Sequence, residues 1–220
     1  GDWNSISLYA YGVPLALNTG ALKYDKIHSS WHEHTKSKNT VMFNGRNQRW
    51  TRGNIINFTS NKSVDYMIGD ASQPSRVQKY FRHVLFIKDP GYFVIWDEIE
   101  ADNYSEWQLH TPAKRIEATD WGFKSITPWE IELDVYMLKP NSYLGLTRGE
   151  GRTAHPLGKL NHKQKFIRIK NKPGGDFLNI LYPKKGTNKK LDIEKLEEDK
   201  NVIKVQYRDK KQNDYILMFS

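Results

Sequence analysis

Cysteine is absent from the 220 residues. That excludes disulfides and thiolate metal sites, and it leaves the compartment open. Long apolar runs are missing too, and none reaches the roughly 18 residues that a membrane-spanning helix needs. No signal-peptide pattern opens the sequence. There is no glycine-rich phosphate loop and no G-x-S-x-G elbow, so nucleotide binding and serine hydrolysis have no visible basis. RNP motifs, helix-turn-helix patterns and Cys/His fingers are also lacking, which removes the usual nucleic-acid readers. No internal repeat and no domain linker interrupts the chain.

Basic and aromatic residues are abundant. The net charge is +9, and 13% of residues are aromatic, including seven Trp and twelve Tyr. A basic balance favours an anionic partner: uronate or sulfated polysaccharide, nucleic acid, or anionic lipid. Part of the charge lies in Lys172-Pro173-Gly174 and in the runs PKKGTNKK and RDKKQ. Those runs read equally as solvated turns. A chain of this length buries roughly 70% or more of its unfolded surface, enough for one sizeable core.

The pattern is that of strands. Ile6, Leu8 and Ala10 alternate with Ser7, Tyr9 and Tyr11, a period of two, and Gly12-Val13-Pro14 supplies a turn before Leu15 to Asn18 returns. Lys23 to Ser37 is polar and aperiodic, a loop. Thr40 to Phe43 is a strand, and Asn44-Gly45 is a two-residue hairpin signal. Further strands are expected at Asn54–Phe58, Val64–Ile68, Val77–Lys88, Tyr92–Glu100, Glu106–His110, Trp121–Ile126 and Glu130–Leu138. Lys165–Ile169, Phe177–Tyr182, Val202–Tyr207 and Tyr215–Phe219 follow. Gln73-Pro74-Ser75 and Pro140 to His162 read as loops, and Leu191 to Lys200 as helix or strand. Many short strands with frequent turns predict an all-β, antiparallel β-sandwich with little helix, as a single domain over 1–220.

Chemistry-bearing side chains gather early. His32 and His34 form an H-x-H pair; on a strand they share a face and reach one ligand, and on a loop they are simply polar. Trp31 beside them stacks on a sugar or anchors the loop. Arg46 offers a fork to a carboxylate or sulfate and Gln48 a neutral donor, or the two are a strand-end pair facing water. His110 closes a strand, at an end where ligands meet side chains, whereas His83 lies within one. Asp97 and Glu98 point to opposite sides, so they do not make a glycosidase carboxylate pair.

The opening block DWNSISLYAYGVPLALNTG and the later KNTVMFNGRNQ resemble the C-terminal β-domain of the heparinase II/III-like polysaccharide lyases. Asp2, Asn4, Ser5, Leu8, Tyr9, Ala10, Tyr11, Gly12, Pro14, Leu15, Ala16 and Gly20 fit the first family block. Asn39, Thr40, Val41, Gly45 and Gln48 fit the second. RHVLFIKDPGYFVIWDEIEA, WQLHTP and FLNILYP continue the likeness. The resemblance implies a two-part parent in which a helical α/α toroid precedes this β-domain, so the chain is expected to be a fragment and inactive alone. It implies cleavage of acidic, uronate-containing glycans by β-elimination, outside the cytoplasm of a bacterium. Catalytic roles then fall on His32, His34 and His110, and substrate contacts on Trp31, Lys38, Arg46 and Gln48. Zinc-bearing members hold their metal with the aspartate and histidines of these blocks. Here Asn18 and Lys38 take two of those places, so no cofactor is expected. Lys38 either replaces the cation electrostatically or is an exposed loop lysine. A non-catalytic glycan-binding or scaffold β-domain is the alternative reading.

Overall fold

A computed structural model describes residues 1–20, 28–154, 163–186, 191–197, 202–207 and 213–218. Tyr24, the stretch 155–162 and residues 198–200 of the expected helix or strand lie outside them. Contacts divide the chain into two compact units, Gly1–Pro183 and Lys184–Ser220, where the sequence suggests one domain.

In the first unit β1 (Leu8–Ala10) and β2 (Val13–Ala16) form a short ribbon. Its turn sits at Tyr11-Gly12, both at positive φ, slightly earlier than expected. β3 (Val41–Phe43) follows. Next come β4 (Asn54–Ser60), β5 (Val64–Asp70), β6 (Lys79–Ile87), β7 (Tyr92–Glu100) and β8 (Ser105–Thr111). β9 (Arg115–Thr119), β10 (Gly122–Ile126), β11 (Ile131–Lys139), β12 (Gly145–Arg152), β13 (Lys163–Asn171) and β14 (Phe177–Lys185) complete the set. One sheet runs β4-β5-β6-β7-β14-β11-β10-β9 and the other β12-β13-β8-β3. β4 to β7 pair antiparallel in succession, as do β7 with β14, β9 to β11, and β12, β13, β8 and β3.

The core lies between these sheets. Ile95, Ile99, Leu133, Val135, Phe177 and Leu181 come from the larger sheet, and Val41, Phe43, Trp107, Leu109, Ile167 and Ile169 from the smaller. Each set recurs every second residue, so the inward face of these core strands is apolar, as a sandwich requires. Turn chemistry agrees with the sequence at Asn44 and Gly45. Both have φ near +50 to +65°, and Arg46 N donates to Phe43 O at 2.9 Å, a tight turn. Only an isolated bridge follows it, so the expected return strand does not form. Ser72–Ser75, expected as loop, is one helical turn ended by Arg76 in the left-handed region.

The second unit holds β15 (Asp192–Glu197), β16 (Val202–Tyr207) and β17 (Asn213–Met218) as an antiparallel sheet. The first residues of the ambiguous 191–200 stretch are thus strand. Among the described residues no helix is long and apolar enough to cross a membrane.

Candidate functional site

The connection between β2 and β3 crosses the outer face of the smaller sheet. It contains a π-helical turn, His28–His32, and a 3-10 turn, Thr35–Ser37. Short turns leave carbonyls without backbone partners. Side chains of β8 and β13 supply them: Gln108 Nε2 donates to Thr35 O at 3.3 Å, and Arg168 Nη2 to Lys36 O at 3.1 Å. His110 Nε2 also donates to Lys36 O, at 3.1 Å. His110 is 0% exposed, and burial, with Arg168 nearby, pushes its pKa down to about 3. The expected catalytic His110 is therefore a neutral, buried fastener of the connection, because that connection covers the face the strand end would otherwise open to solvent.

The H-x-H pair does not converge either. It sits in a turn, where i and i+2 diverge. His32 is buried with Nδ1 3.2 Å from Thr19 Oγ1, and it lines a cavity. His34 Nδ1 accepts from Lys36 N at 3.3 Å and caps the 3-10 turn. Burial, then Lys36, lowers its pKa. Trp31 anchors the connection: Nε1 donates to Arg152 O at 2.8 Å, and its ring lies against His110 and Phe166. Gly151 has no side chain because Trp31 Cζ2 would lie 2.0 Å from its Cβ.

Beside this connection lies a cavity of about 710 Å³, within the usual size of a ligand site. Asn18, His32 and Lys38 line it, as do Trp3, Arg49, Trp50 and Arg52, which the sequence pattern did not single out. Trp50 is 87% exposed, an indole held in solvent at the rim between two arginines. The adjacency Arg49-Trp50-Thr51-Arg52 was the available signal. Its meaning depended on knowing that no strand forms there. Arg46 is exposed at the turn tip and does not line the cavity. Gln48 turns inward instead of sharing its face: Trp3 N donates to Oε1 at 2.8 Å and Nε2 to Trp3 O at 3.1 Å. It thus fixes Trp3 on the cavity wall without reaching in.

The residues of the two opening blocks are stitched to one another. Asn4 Nδ2 donates to Gly69 O, Asn39 Nδ2 to Ile6 O, and Thr40 Oγ1 to Trp3 O. Arg82 Nη1 donates to both Asn4 O and Asn39 O. This network gives those residue types at that spacing a structural role. The model of the heparinase II/III-like C-terminal family matches residues 1–175. The chain belongs to that family. Its fold is similar to "Heparinase III-BT4657 gene product", with TM-score 0.77 at 18% identity over 99% of this chain. It is equally similar to heparan sulfate lyase HepC from Pedobacter heparinus, with TM-score 0.77 at 17% identity over 99%. The chain spans 36% of the length of each of these structures. Among curated proteins none matches the sequence.

The zinc implied by some members of the heparinase II/III-like family does not fit these residues. Asn18 Oδ1 already accepts from Asn39 N at 2.8 Å and Ser5 Oγ at 2.7 Å. A neutral amide oxygen so engaged is a poor ligand, and Lys38 beside it brings a positive charge. Among the described residues no group of three His, Asp or Glu is placed to hold a metal ion.

Proposed function

We propose that this chain is the β-domain of a polysaccharide lyase that cleaves uronate-containing glycans by β-elimination. The observation that carries the reading is the cavity in which Trp3 and Trp50 stand with Arg49, Arg52 and Lys38. Indole faces pack on the apolar face of a sugar ring, and guanidinium groups pair with carboxylate or sulfate in fork geometry. β-Elimination needs the C5 carboxylate quieted, the C5 proton removed and the leaving O4 protonated. The cavity's cations serve the first of these tasks. The second and third need an accessible base and acid. His34 and His110 are engaged in holding the connection, so those groups are assigned to a helical domain of the same protein, preceding this one. Ile55, Ile56 and Phe58, which β4 leaves in solvent as a docking face, support that arrangement. Such a parent acts in the periplasm or outside a bacterial cell.

The test is an elimination assay on heparan sulfate, alginate, hyaluronan and chondroitin, following the 4,5-unsaturated product by ultraviolet absorbance. The parent protein forms product on at least one, and the isolated chain forms none. A parent silent on all four removes the lyase reading. Binding of those glycans by a silent parent favours a non-catalytic glycan-binding domain.

A further inference from the structure

β9 ends the larger sheet and β12 the smaller, and where these two edges meet lies a groove of about 380 Å³. It shares no lining residue with the cavity beside the connection. Ile116 and Phe166 give it an apolar lining. Phe166 fits there because Gly149, its cross-strand partner, has no Cβ; one would lie 2.6 Å from Phe166 Cζ. Four cations line the groove, Lys114, Arg115, Arg148 and Lys165, against one carboxylate, Glu150. Lys114 pairs with Glu130, Arg115 with Glu117 at 2.7 Å, and Lys165 with Glu150 at 2.7 Å. Such exposed pairs are weak and give way to a competing anion. The strand register extends the charge beyond the groove. Arg148 stands opposite Ile167, Glu150 opposite Lys165 and Arg152 opposite Lys163, all on the face that Ile167 turns to the core. That face thus changes from apolar to basic along β12. Arg152 and Lys163 are like charges directly opposite, an arrangement that destabilises a strand pair unless an anion meets it. Among the described residues neither of them, nor Arg148, has an ion-pair partner. Arg148 and Arg152 are roughly 13 Å apart along the strand, more than one sugar ring.

We propose that this groove is a second, accessory site for a sulfated or carboxylated polysaccharide, with the polymer lying along β12 and its acidic groups on Arg148, Arg152 and Lys163. The inference rests on the acidic-glycan reading for its ligand class and not on the elimination chemistry. Guanidinium forks and ammonium groups take sulfate or carboxylate from a flexible chain. Channels for single-stranded nucleic acid add aromatic platforms on which bases stack. The one aromatic side chain lining this groove, Phe166, is buried, and its ring is already met by Arg168 at 4.4 Å and by Trp31 and His110. The groove therefore reads charge and not bases.

The test uses the chain itself and reads binding. Titration calorimetry with heparan sulfate at low salt gives an affinity that falls steeply as sodium chloride is added. Arg148→Ala with Lys163→Ala, both at exposed positions, lowers that affinity about tenfold or more, the scale of losing charge-assisted contacts, and flattens the salt dependence. The same factor appears in a Trp50→Ala background, because the two sites share no residue. Lys62→Ala with Lys172→Ala removes the same charge from exposed positions elsewhere and changes affinity less than about twofold. Unchanged affinity in the Arg148 and Lys163 variant overturns the proposal, as does an equal loss in the Lys62 and Lys172 control. A loss that vanishes in the Trp50→Ala background shows one site instead of two and also overturns it. So does oligothymidylate bound as tightly as heparan sulfate, or a wild-type chain that binds no acidic glycan. Turnover is not read here, so a parent silent in the elimination assay leaves this result standing.

Discussion

Replacing Arg82 by methionine removes a guanidinium that is 3% exposed from opposite an Asp97 carboxylate that is 0% exposed. The two residues are direct cross-strand partners in β6 and β7. Arg82 Nε donates to Asp97 Oδ1 at 2.6 Å and Nη2 to Oδ2 at 2.8 Å, and Nη1 donates to Asn4 O at 2.5 Å and Asn39 O at 2.7 Å. Burial alone would lower the Arg82 pKa, but the Asp97 carboxylate outweighs it and holds the value above the ordinary arginine range. Methionine fills the aliphatic volume, strands one buried carboxylate and takes a donor from Asn4 O and from Asn39 O, which keeps the Ile6 N–H at 3.3 Å. Breaking a buried pair from one side costs about 3–5 kcal/mol, and the weakened carbonyl partnerships add about 1 kcal/mol. At about 2–4 °C per kcal/mol for this size, the midpoint falls by about 10–20 °C. All seven tryptophans lie before Pro183, so their fluorescence reports the first unit alone. Arg82→Met with Asp97→Leu recovers at least half the loss, because no charge is then left buried. A single variant that loses less than about 1 kcal/mol would show that the pair is dispensable, and the account of how the opening blocks are welded to the larger sheet would fail.

His110 makes the first unit sensitive to acid. Its folded pKa of about 3 lies below the ordinary 6.5, so the unfolded chain binds the extra proton; stability is complete above about pH 6.5 and falls by up to about 1.4 kcal/mol per pH unit down to about pH 3. Urea midpoints at pH 7, 6, 5 and 4 measure that slope, and His110→Gln, which keeps a donor for Lys36 O, flattens it; an identical slope in the variant removes the assignment. Trp50→Ala weakens acidic-glycan binding several-fold in affinity electrophoresis while its unfolding midpoint stays within about 0.5 kcal/mol, since the side chain is 87% exposed. Unchanged affinity would take Trp50 out of the site. Gly151→Ala places a Cβ 2.0 Å from Trp31 Cζ2 and destabilises the first unit by about 1–3 kcal/mol, seen by thermal melting, as the ring is driven off its seat.

Local grammar carried much of the architecture. Alternation marked the core strands, and Asn44-Gly45 named its own turn, because φ/ψ preference and side-chain period act within a few residues. The family blocks were legible for a related reason, since Asn4, Asn39, Thr40 and Gln48 each complete a backbone partnership that admits few substitutes. β9 and β12 escaped notice because both are edge strands of their sheets, where mostly solvated side chains erase the period. The site was decided in three dimensions. Period-two reading puts His110 on the outer face of its strand, but only the fold shows that a distant connection closes over that face. The same closure buries Lys38, separates His32 from His34, and sets Asn18, Lys38 and Trp50 around one cavity. Which side a residue points to is written in its neighbours, whereas what meets it there depends on a segment tens of residues away.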